Sequence, residues 1–395
     1  MATHIGIGFS RKSSAALAAQ EASILAKKQA QQQYFDLAIV FSTSHYNPAD
    51  TLESIRQNFK QTKIIGCSTA GIILPERVET QGIAVFAIKS SEIKFGVGSA
   101  QNLTPENFYQ SGKQLVQNTI LDFGPNRRQL FVLLTDGLLE NNSIVLKGIR
   151  EAFNNIVPIV GAGSVDDFRF QKTFQFCQDQ SLTNSAVGLL MGGEMKIGLG
   201  LKHGWKPLGK PRIIDKAQGH IIKTIDGQKA SSVLEEYFGE NIRKLSSKQL
   251  SRMTMLYPFG IYVENERVYL LRYVLDILDD GSIVCQGDIP EGARVHIMLG
   301  NKDTCQQAAM EAAQEVRHLL LGKLPKFFIV FESSARHKLL GKGTLLEIQM
   351  IREILGYTTP MIGMYSYGEI GALKSIDYMA EPYLQNQMIL ILAIA

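Results

Sequence analysis

The sequence predicts a mixed α/β protein made of three related β-α-β-α-β-β units, whose mixed sheets are flanked by helices, with a β-rich insert before the third unit. Three segments carry this prediction, because each runs from apolar residues into glycine and then into small or hydroxyl residues: Lys63–Gly71, Pro158–Ser164 and Pro360–Ser366. Each is preceded by a continuous apolar run, typical of a strand buried on both faces, and a helix-like segment lies between that run and the glycine. Ordinary α/β proteins also alternate in this way, but here the turn and the elements around it recur together.

The first unit opens with a short strand containing Gly-x-Gly, and this motif predicts a strand that crosses close to a neighbouring element. An alanine-rich helix follows it, capped by Ser13 or Ser14 and running to about Gln33. We then predict a buried strand at Leu37–Phe41 and a helix at Pro48–Phe59. The glycine turn at Gly66 and a further strand at Gly82–Ile88 follow. The short polar turn after that strand predicts a hairpin with Ile93–Val97.

The second and third units repeat this order. In the second unit we predict helices over 104–120 and 143–153, strands over 130–134 and 186–191, the turn at Gly161, and a hairpin into 195–200. In the third unit we predict strands over 294–299, 327–331 and 388–392, helices over 305–321 and 345–355, and the turn at Gly363. If the units are true repeats, Gly66, Gly161 and Gly363 should occupy equivalent positions.

A proline- and glycine-rich segment, Trp205–Pro211, interrupts the pattern after the second unit. Beyond it, two short strands, a helix over 230–238 and a strand meander over 258–284 predict a separate β-rich insert. We therefore divide the chain into a first domain, residues 1–205 with two units, and a second domain, residues 206–395 with the insert and the third unit.

Composition is that of a globular protein, with 45% hydrophobic and 20% charged residues. The net charge of +4 is too small to favour nucleic-acid binding, and no apolar run is long enough for a membrane span. The cysteines show no close pairing and the N-terminus lacks the order of a signal peptide, so we expect a cytoplasmic protein with reduced thiols. Histidines and cysteines show no metal-ligand spacing, and we expect neither metal nor cofactor.

Catalytic motifs are mostly missing. The segment after Gly66 is not Gly-x-Ser-x-Gly, because its second glycine comes one residue late. Ser68 or Cys67 could act as a nucleophile only with a nearby base, and His45 is the nearest histidine in sequence. The alternative is that Cys67 is a packed thiol and Ser68 caps a turn. Leu340–Thr344 resembles part of a phosphate-binding loop but lacks its first glycine and its Ser or Thr after the lysine.

Polar residues gather instead at the carboxyl ends of the predicted strands, where open α/β sheets bind ligands. Asp166 follows the second turn, Glu369 follows the third, and Ser334 and Arg336 follow the third buried strand. Asp and Ser are also the residues preferred at the N-termini of helices. These residues could therefore form a ligand site or simply cap helices, and the sequence leaves both interpretations open. Arg336 could anchor an anion through its planar fork, or pair internally with Glu332 or Glu369. We expect Glu369 to face a cleft.

Four segments together resemble the FIST proteins, which have an N-terminal and a C-terminal FIST domain: Ile65–Gly71, Val160–Asp166, Tyr367–Ile370 and Asn386–Leu390. The resemblance covers nearly the whole chain. It implies an intracellular sensory or signal-transduction domain that binds small ligands such as amino acids. Two positions differ from the family pattern, at Ser334-Ala335-Arg336 and Asn386-Gln387-Met388, so the ligand can differ. We see no attached F-box or signalling module and expect a stand-alone copy.

The prediction is therefore a non-catalytic module that binds a small polar ligand, such as an amino acid or related metabolite, and acts through a signalling partner protein, without nucleic acid or membrane. Two alternatives remain open, a Ser- or Cys-dependent hydrolase or transferase and a protein-interaction scaffold. The candidate ligand-binding residues are Cys67, Ser68, Thr69, Ser164, Asp166, Ser334, Arg336, Tyr365, Glu369 and Asn386.

Overall fold

The computed structural model describes residues 3–139, 141–375 and 379–395. The helices are α1 Ala15–Ala30, α2 Pro48–Asn58, α3 Phe108–Phe123, α4 Asn142–Ala152, α5 Ser231–Phe238, α6 Ser247–Thr254, α7 Lys302–Leu319, α8 Ser334–Leu340 and α9 Thr344–Leu355. The strands up to the end of the second unit are β1 Thr3–Ser10, β2 Leu37–Thr43, β3 Lys63–Thr69, β4 Ile72–Leu74, β5 Arg77–Glu79, β6 Ile83–Ser90, β7 Ile93–Ala100, β8 Leu130–Asp136, β9 Ile159–Ser164, β10 Gln175–Cys177, β11 Gln180–Leu182 and β12 Ala186–Gly193.

The remaining strands are β13 Ile197–Lys202, β14 Lys206–Gln218, β15 Ile221–Ile225, β16 Gln228–Lys229, β17 Phe259–Val263, β18 Val268–Arg272, β19 Val274–Ile277, β20 Ile283–Cys285, β21 Arg294–Leu299, β22 Phe327–Ser333, β23 Met361–Ser366, β24 Glu369–Ala372, β25 Pro382–Gln385 and β26 Ile389–Ile394. Strands β14 to β21 form the sheet of the insert, and the others form three six-stranded sheets. The predicted fold class, a mixed α/β protein with several mixed sheets flanked by helices, is confirmed.

The three six-stranded sheets have the same plan. Their strand orders are β1-β6-β2-β3-β10-β11, β7-β12-β8-β9-β24-β25 and β13-β26-β22-β23-β4-β5. Four strands of each sheet come from one unit, and the last two are a hairpin contributed by another unit. The second unit completes the first sheet, the third unit completes the second sheet, and the first unit completes the third. This cyclic exchange ties the units into one closed arrangement.

The turn glycines occupy equivalent positions, as predicted. Within the three parallel strand pairs, Gly66 lies opposite Val40, Gly161 opposite Leu133, and Gly363 opposite Val330. Each opposing residue is the fourth of its strand. A Cβ atom on Gly66 would lie 2.0 Å from the carbonyl oxygen of Val40. A side chain there would collide with backbone, and this accounts for glycine in the turn strand.

Two predicted hairpins are wrong. β6 pairs with β1 and β2, whereas β7 pairs with β12; β12 in turn does not pair with β13, which lies beside β26. Both edges of β6 are already occupied within its own unit, so the chain after the short turn must start another sheet. The short polar turn between β6 and β7 therefore connects two different sheets, although its residues are typical of a hairpin.

The third unit also begins earlier than predicted. β13 occupies the place that β1 and β7 hold in the other sheets, so it is the first strand of this unit. The strand at Arg294–Leu299, predicted to open the unit, lies instead between β14 and β17 in the sheet of the insert. The insert is therefore inside the third unit, between its first strand and helix α7.

Apolar side chains from all three six-stranded sheets meet in one central core. The helices cover the outer faces, with α1 and α2 on the first sheet, α3 and α4 on the second, and α7 and α9 on the third. The predicted close crossing at Gly-x-Gly is confirmed, because a Cβ atom on Gly8 would lie 1.7 Å from the carbonyl oxygen of Ala22 on α1. Throughout the described ranges, no helix combines the length and apolar character that a membrane crossing requires.

Candidate functional site

A cavity of about 440 Å³ lies between the three-unit core and the insert. We call it the core–insert cavity. Its core side is formed by residues at the carboxyl ends of β8, β22 and β23 and by the loop before β26: Gly137, Leu138, Leu139, Ser333, Ser334, Ala335, Ser366, Tyr367, Gly368, Asn386 and Gln387. Arg169 and Phe170 come from the loop after β9, and the insert contributes Ser247, Met255, Tyr273, Leu275, Asp276 and Gln286. Strand ends therefore form one wall, as expected for open α/β sheets.

Asn386 connects the two sides of this cavity. Its Oδ1 accepts a hydrogen bond from the backbone N–H of Tyr273 at 3.0 Å, and its Nδ2 donates to Oε1 of Gln286 at 2.7 Å. Gln286 in turn donates from Nε2 to the carbonyl oxygen of Gly137 at 3.2 Å. Three hydrogen bonds thus fasten the insert to the second and third units, and they fix the position of the cavity walls.

Two buried side chains of the lining have unsatisfied polar atoms. Ser334 Oγ and Gln387 Oε1 have no hydrogen-bond partner within the described ranges. Gln387 has a φ of 55°, and its Nε2 donates to the carbonyl oxygen of Met255 at 3.2 Å, so the orientation of its amide is fixed. Because burying an unpaired polar atom costs about 1–3 kcal/mol, either atom would be stabilised by a bound molecule that brings a hydrogen-bond partner within its reach.

Aromatic and charged side chains complete the lining. Phe170 stacks on Tyr367, with ring centres 5.2 Å apart and planes inclined by 7°. Tyr367 is held in turn, since its hydroxyl oxygen accepts from the backbone N–H of Phe168 at 2.8 Å. Asp276 accepts from Ser247 Oγ and so places a carboxylate on the insert side. An exposed Arg169 lies on the loop that carries Phe170.

Asp166, a predicted ligand residue, organises this loop and does not line the cavity. Its carboxylate accepts from the backbone N–H groups of Phe170, Gln171 and Lys172 at 2.6–3.0 Å. The loop needs such support because Asp167, Phe168 and Phe170 all have positive φ angles of 53–59°, which are unfavourable for side chains of this size.

Glu369 does not face a cleft, contrary to expectation. Its side chain is fully buried behind Ser366, whose Oγ lies 2.6 Å from Glu369 Oε1. Its other oxygen accepts from the backbone N–H of Met388 at 3.0 Å. Burial raises the pKa of Glu369 to about 8, although the hydrogen bond from the backbone N–H of Met388 lowers it. Glu369 thus touches the cavity wall from behind.

Arg336 is an internal strut, and the geometry does not support its use as an anion anchor. Its guanidinium is fully buried and pairs with Glu332, at 3.2 Å, and with Glu347. It also donates to the carbonyl oxygens of His203 and Cys305 at 2.8 and 2.9 Å. Four internal contacts hold this side chain outside the cavity lining. Of the open alternatives, internal pairing with Glu332 is the one observed, and Glu347 replaces the suggested Glu369.

The other predicted residues lie in the core. Cys67 contacts Met364 through sulfur atoms 3.4 Å apart, and burial raises the pKa of its thiol far above the ordinary value. Ser68 Oγ accepts from the backbone N–H of Phe174 at 3.0 Å. Thr69 Oγ1 lies 2.8 Å from the carbonyl oxygen of Tyr365, and Ser164 Oγ donates to that of Thr135 at 2.9 Å. The buried ring of Tyr365 stacks on His337. These groups support the fold.

Of the ten predicted ligand residues, the structure therefore places Ser334 and Asn386 in the lining. Sequence reasoning missed Gln387, although it follows Asn386 directly, and missed Ser366 and Tyr367, although both stand in the segments that were singled out. It gave no sign of Met255, Tyr273 or Asp276, because nothing in the pattern of the insert shows where the insert packs. Within the described ranges, no group of three His, Cys, Asp or Glu side chains could hold a metal ion.

Comparison with known proteins places the chain among relatives of undefined function. An uncharacterized protein of Mycobacterium tuberculosis is 23% identical over 379 residues, which cover 93% of this chain and 94% of that protein. An uncharacterized protein of Methanocaldococcus jannaschii is 24% identical over 281 residues, or 66% of this chain. The match covers 53% of that second protein, so the chain spans about half the length of this relative.

Two solved structures of cyanuric acid hydrolases are also similar. One, from A. caulinodans, is 8% identical, with 99% of each chain covered and a TM-score of 0.40. The other is 9% identical and covers 51% of this chain and 72% of that chain with a TM-score of 0.30. Family models match the FIST N domain at residues 36–228 and the FIST C domain at residues 230–372. Because these two matches cover most of its length, the chain belongs to the FIST family.

Proposed function

We propose that this protein is an intracellular sensory module that binds a small polar ligand, such as an amino acid or a related metabolite, in the core–insert cavity. It acts without catalysis and passes its signal to a partner protein. Membership of the FIST family supports a sensory role in signal transduction. A cytoplasmic location fits four cysteines that are all free and buried.

The observation that carries the proposal is a cavity of ligand size with unsatisfied polar atoms in its lining. A volume of about 440 Å³ lies within the range of small-molecule sites, roughly 300–1,000 Å³. The lining combines apolar and aromatic walls with a few polar groups, as such sites do. Ser334 Oγ and Gln387 Oε1 are buried there without hydrogen-bond partners in the described chain, and a ligand that reaches them would satisfy them.

The chemistry of the lining favours a ligand with both a donor and an acidic group. Gln387 Oε1 can only accept, so the ligand must bring an N–H or O–H group to it. Asp276 favours a cationic group such as an ammonium, and Arg169 favours a carboxylate. A zwitterionic amino acid carries both charges on one small molecule, with a side chain to pack on Phe170 and Tyr367.

The insert offers a route for the signal. Asn386 and Gln286 join it to the core, and the ligand would bind beside these contacts. A ligand that binds more tightly to one arrangement of insert and core shifts the population toward that arrangement. A partner that recognises the insert would then respond to the ligand.

Contacts of the candidate nucleophiles support a non-catalytic role. Ser68 Oγ bonds to a backbone N–H, and Cys67 Sγ contacts the sulfur of Met364. Neither atom has a histidine, lysine or carboxylate among its hydrogen-bond partners in the described chain. A nucleophile of either type needs such a group within reach.

The test is a thermal-shift screen against the proteinogenic amino acids and related metabolites. A ligand at 100 times its dissociation constant adds about 2.7 kcal/mol to stability and should raise the melting temperature clearly. Leu138→Trp fills the cavity and should abolish the shift. The matched control is Leu121→Trp, because Leu121 is 80% exposed on α3. A shift that persists in Leu138→Trp would place the ligand elsewhere.

A further inference from the structure

Glu369 has a structural counterpart in the second unit. Glu369 lies opposite Ala162, and Gln175 lies opposite Cys67. Ala162 and Cys67 each follow the turn glycine of their strand by one residue. The exchanged hairpins therefore place Glu369 and Gln175 at equivalent positions of two sheets. In the third sheet this position is held by Ile72, opposite Met364.

The hydrogen bonds of Gln175 show what this position does. Gln175 Nε2 donates to Ser164 Oγ at 2.6 Å, and Ser164 Oγ lies 2.9 Å from the carbonyl oxygen of Thr135. Because a carbonyl can only accept, Ser164 must be the donor in that contact. The Gln175 amide therefore donates a hydrogen bond to Ser164, and Ser164 donates one to the backbone carbonyl.

The third unit repeats this arrangement with a carboxyl group. Ser366 is the counterpart of Ser164, since each is the third residue after its turn glycine. Ser366 Oγ lies 3.0 Å from the carbonyl oxygen of Glu332 and 2.6 Å from Glu369 Oε1. Ser366 has one hydrogen for these two oxygen neighbours. When that hydrogen is directed to the carbonyl, as in the second unit, the 2.6 Å contact requires a hydrogen from Glu369, as a neutral acid in the place of the amide NH₂ of Gln175.

The surroundings agree with a neutral carboxyl. The side chain is fully buried, and its two flanking strands present uncharged groups, Ala162 of β9 and Gln385 of β25. The cation near it is Arg336 on α8, and this guanidinium already pairs with Glu332 of β22 and Glu347 of α9. Burial raises the pKa of Glu369 to about 8.

We propose that Glu369 is a positioning residue which, as a neutral acid, joins Ser366 to Met388 and thereby holds two segments of the core side of the core–insert cavity in place. Its Oε1 fixes Ser366 at the end of β23, and its Oε2 fixes the backbone beside Asn386 and Gln387 in the loop before β26. Loss of the proton leaves Ser366 with two acceptors and one hydrogen. The role in ligand binding rests on the proposed function, and ligand affinity should then fall as the pH rises through the pKa of Glu369.

The first experiment uses the ligand-free protein and does not depend on the proposed function. Melting temperatures of wild type, Glu369→Gln and the exposed control Glu353→Gln are measured from pH 5 to pH 9. A raised folded-state pKa makes stability fall as the pH rises from the unfolded value, about 4.3, toward 8. Wild type and Glu353→Gln should therefore lose several degrees relative to Glu369→Gln. Parallel curves for all three proteins, or a Glu369→Gln variant that does not fold, would overturn the inference.

The second experiment adds an equimolar mixture of the twenty proteinogenic amino acids as the probe. The shift in melting temperature that it produces should shrink more strongly from pH 6.5 to pH 9 in wild type than in Glu369→Gln, because titration of the amino acids themselves affects both proteins equally. A shift that falls equally in both proteins would remove Glu369 from cavity positioning. If no protein responds to the mixture at any pH, amino-acid binding fails, while the first experiment still decides the state of Glu369.

Discussion

Gln175 and Glu369 occupy equivalent places beside two turn strands, and each contacts the hydroxyl of an equivalent serine at 2.6 Å. The same framework thus holds an amide in one unit and a carboxyl in another. Since the amide can donate without titrating, the second unit keeps its geometry at all pH values. The third unit keeps it only while its carboxyl is protonated, and the core–insert cavity lies at this unit.

Gln175→Glu should transfer this pH dependence to the second unit. In its neutral form, the introduced carboxyl group could donate to Ser164 and accept from Ser185, as Gln175 does. Because the site is buried, the new carboxyl should have a raised pKa and resist ionisation. We expect near-wild-type stability at pH 5 and a loss of about 1–3 kcal/mol at pH 8, the cost of a poorly satisfied buried group. Denaturant unfolding at both pH values measures this loss.

The control for this change is Gln114→Glu on the exposed face of α3. It should follow wild type at every pH, because an exposed carboxylate keeps its ordinary pKa. A loss of stability in Gln175→Glu that is the same at pH 5 and pH 8 would mean that packing, and not protonation, limits this position.

The four cysteines should be unreactive in the folded protein. Burial raises the pKa of the Cys177 and Cys285 thiols to about 12 and the pKa of the Cys305 thiol to about 11. It raises the pKa of the Cys67 thiol more than those of the other three. Since the thiolate is the reactive species, a thiol reagent at pH 8 should label no cysteine until denaturant is added. Mass spectrometry counts the labels. Rapid labelling of Cys67 in the native state would revive the hydrolase or transferase alternative, which requires an accessible nucleophile.

Sequence reasoning succeeded where a pattern is local. A continuous apolar run such as Leu37–Phe41 indicates a strand buried on both faces, and the equivalence of Gly66, Gly161 and Gly363 follows from spacing and residue type. Gly8 was correctly assigned to a close crossing, because a glycine within a strand has few other uses. These features depend on residues that lie within one unit.

It failed where the outcome depends on partners distant in sequence. The turn after β6 has the residues of a hairpin, yet the pairing is decided by β1 and β2, which already fill both sides of β6. The insert wall of the cavity, with Tyr273 and Asp276, could not be placed because no local signal indicates which surface the insert covers. Gln387 was missed for the same reason, since its contact with Met255 of the insert is distant in sequence.

Substitution of Arg336 distinguishes a role in the stability of the fold from a role in ligand binding. The Arg336 guanidinium lies between Glu332 and Glu347 and also donates to two backbone carbonyls, so all three nitrogens of the planar group are engaged. Burial and the neighbouring Glu347 raise the pKa of Glu332, whereas the Arg336 guanidinium between the two carboxyl groups lowers it. Arg336→Lys keeps one charge but cannot reach all four acceptors, because an ammonium has three donors on a single nitrogen.

We expect Arg336→Lys to destabilise the ligand-free protein by about 3–5 kcal/mol, the range observed when a buried ion pair is broken. Denaturant unfolding measures this against Arg252→Lys, an exposed position on α6 that should change stability by less than about 0.5 kcal/mol. At a temperature where both variants are folded, calorimetric affinity for a ligand found in the amino-acid screen should match wild type. A variant of normal stability with a ten- to hundredfold loss of affinity would show instead that Arg336 reaches the ligand as an anion anchor, and the strut assignment would be wrong.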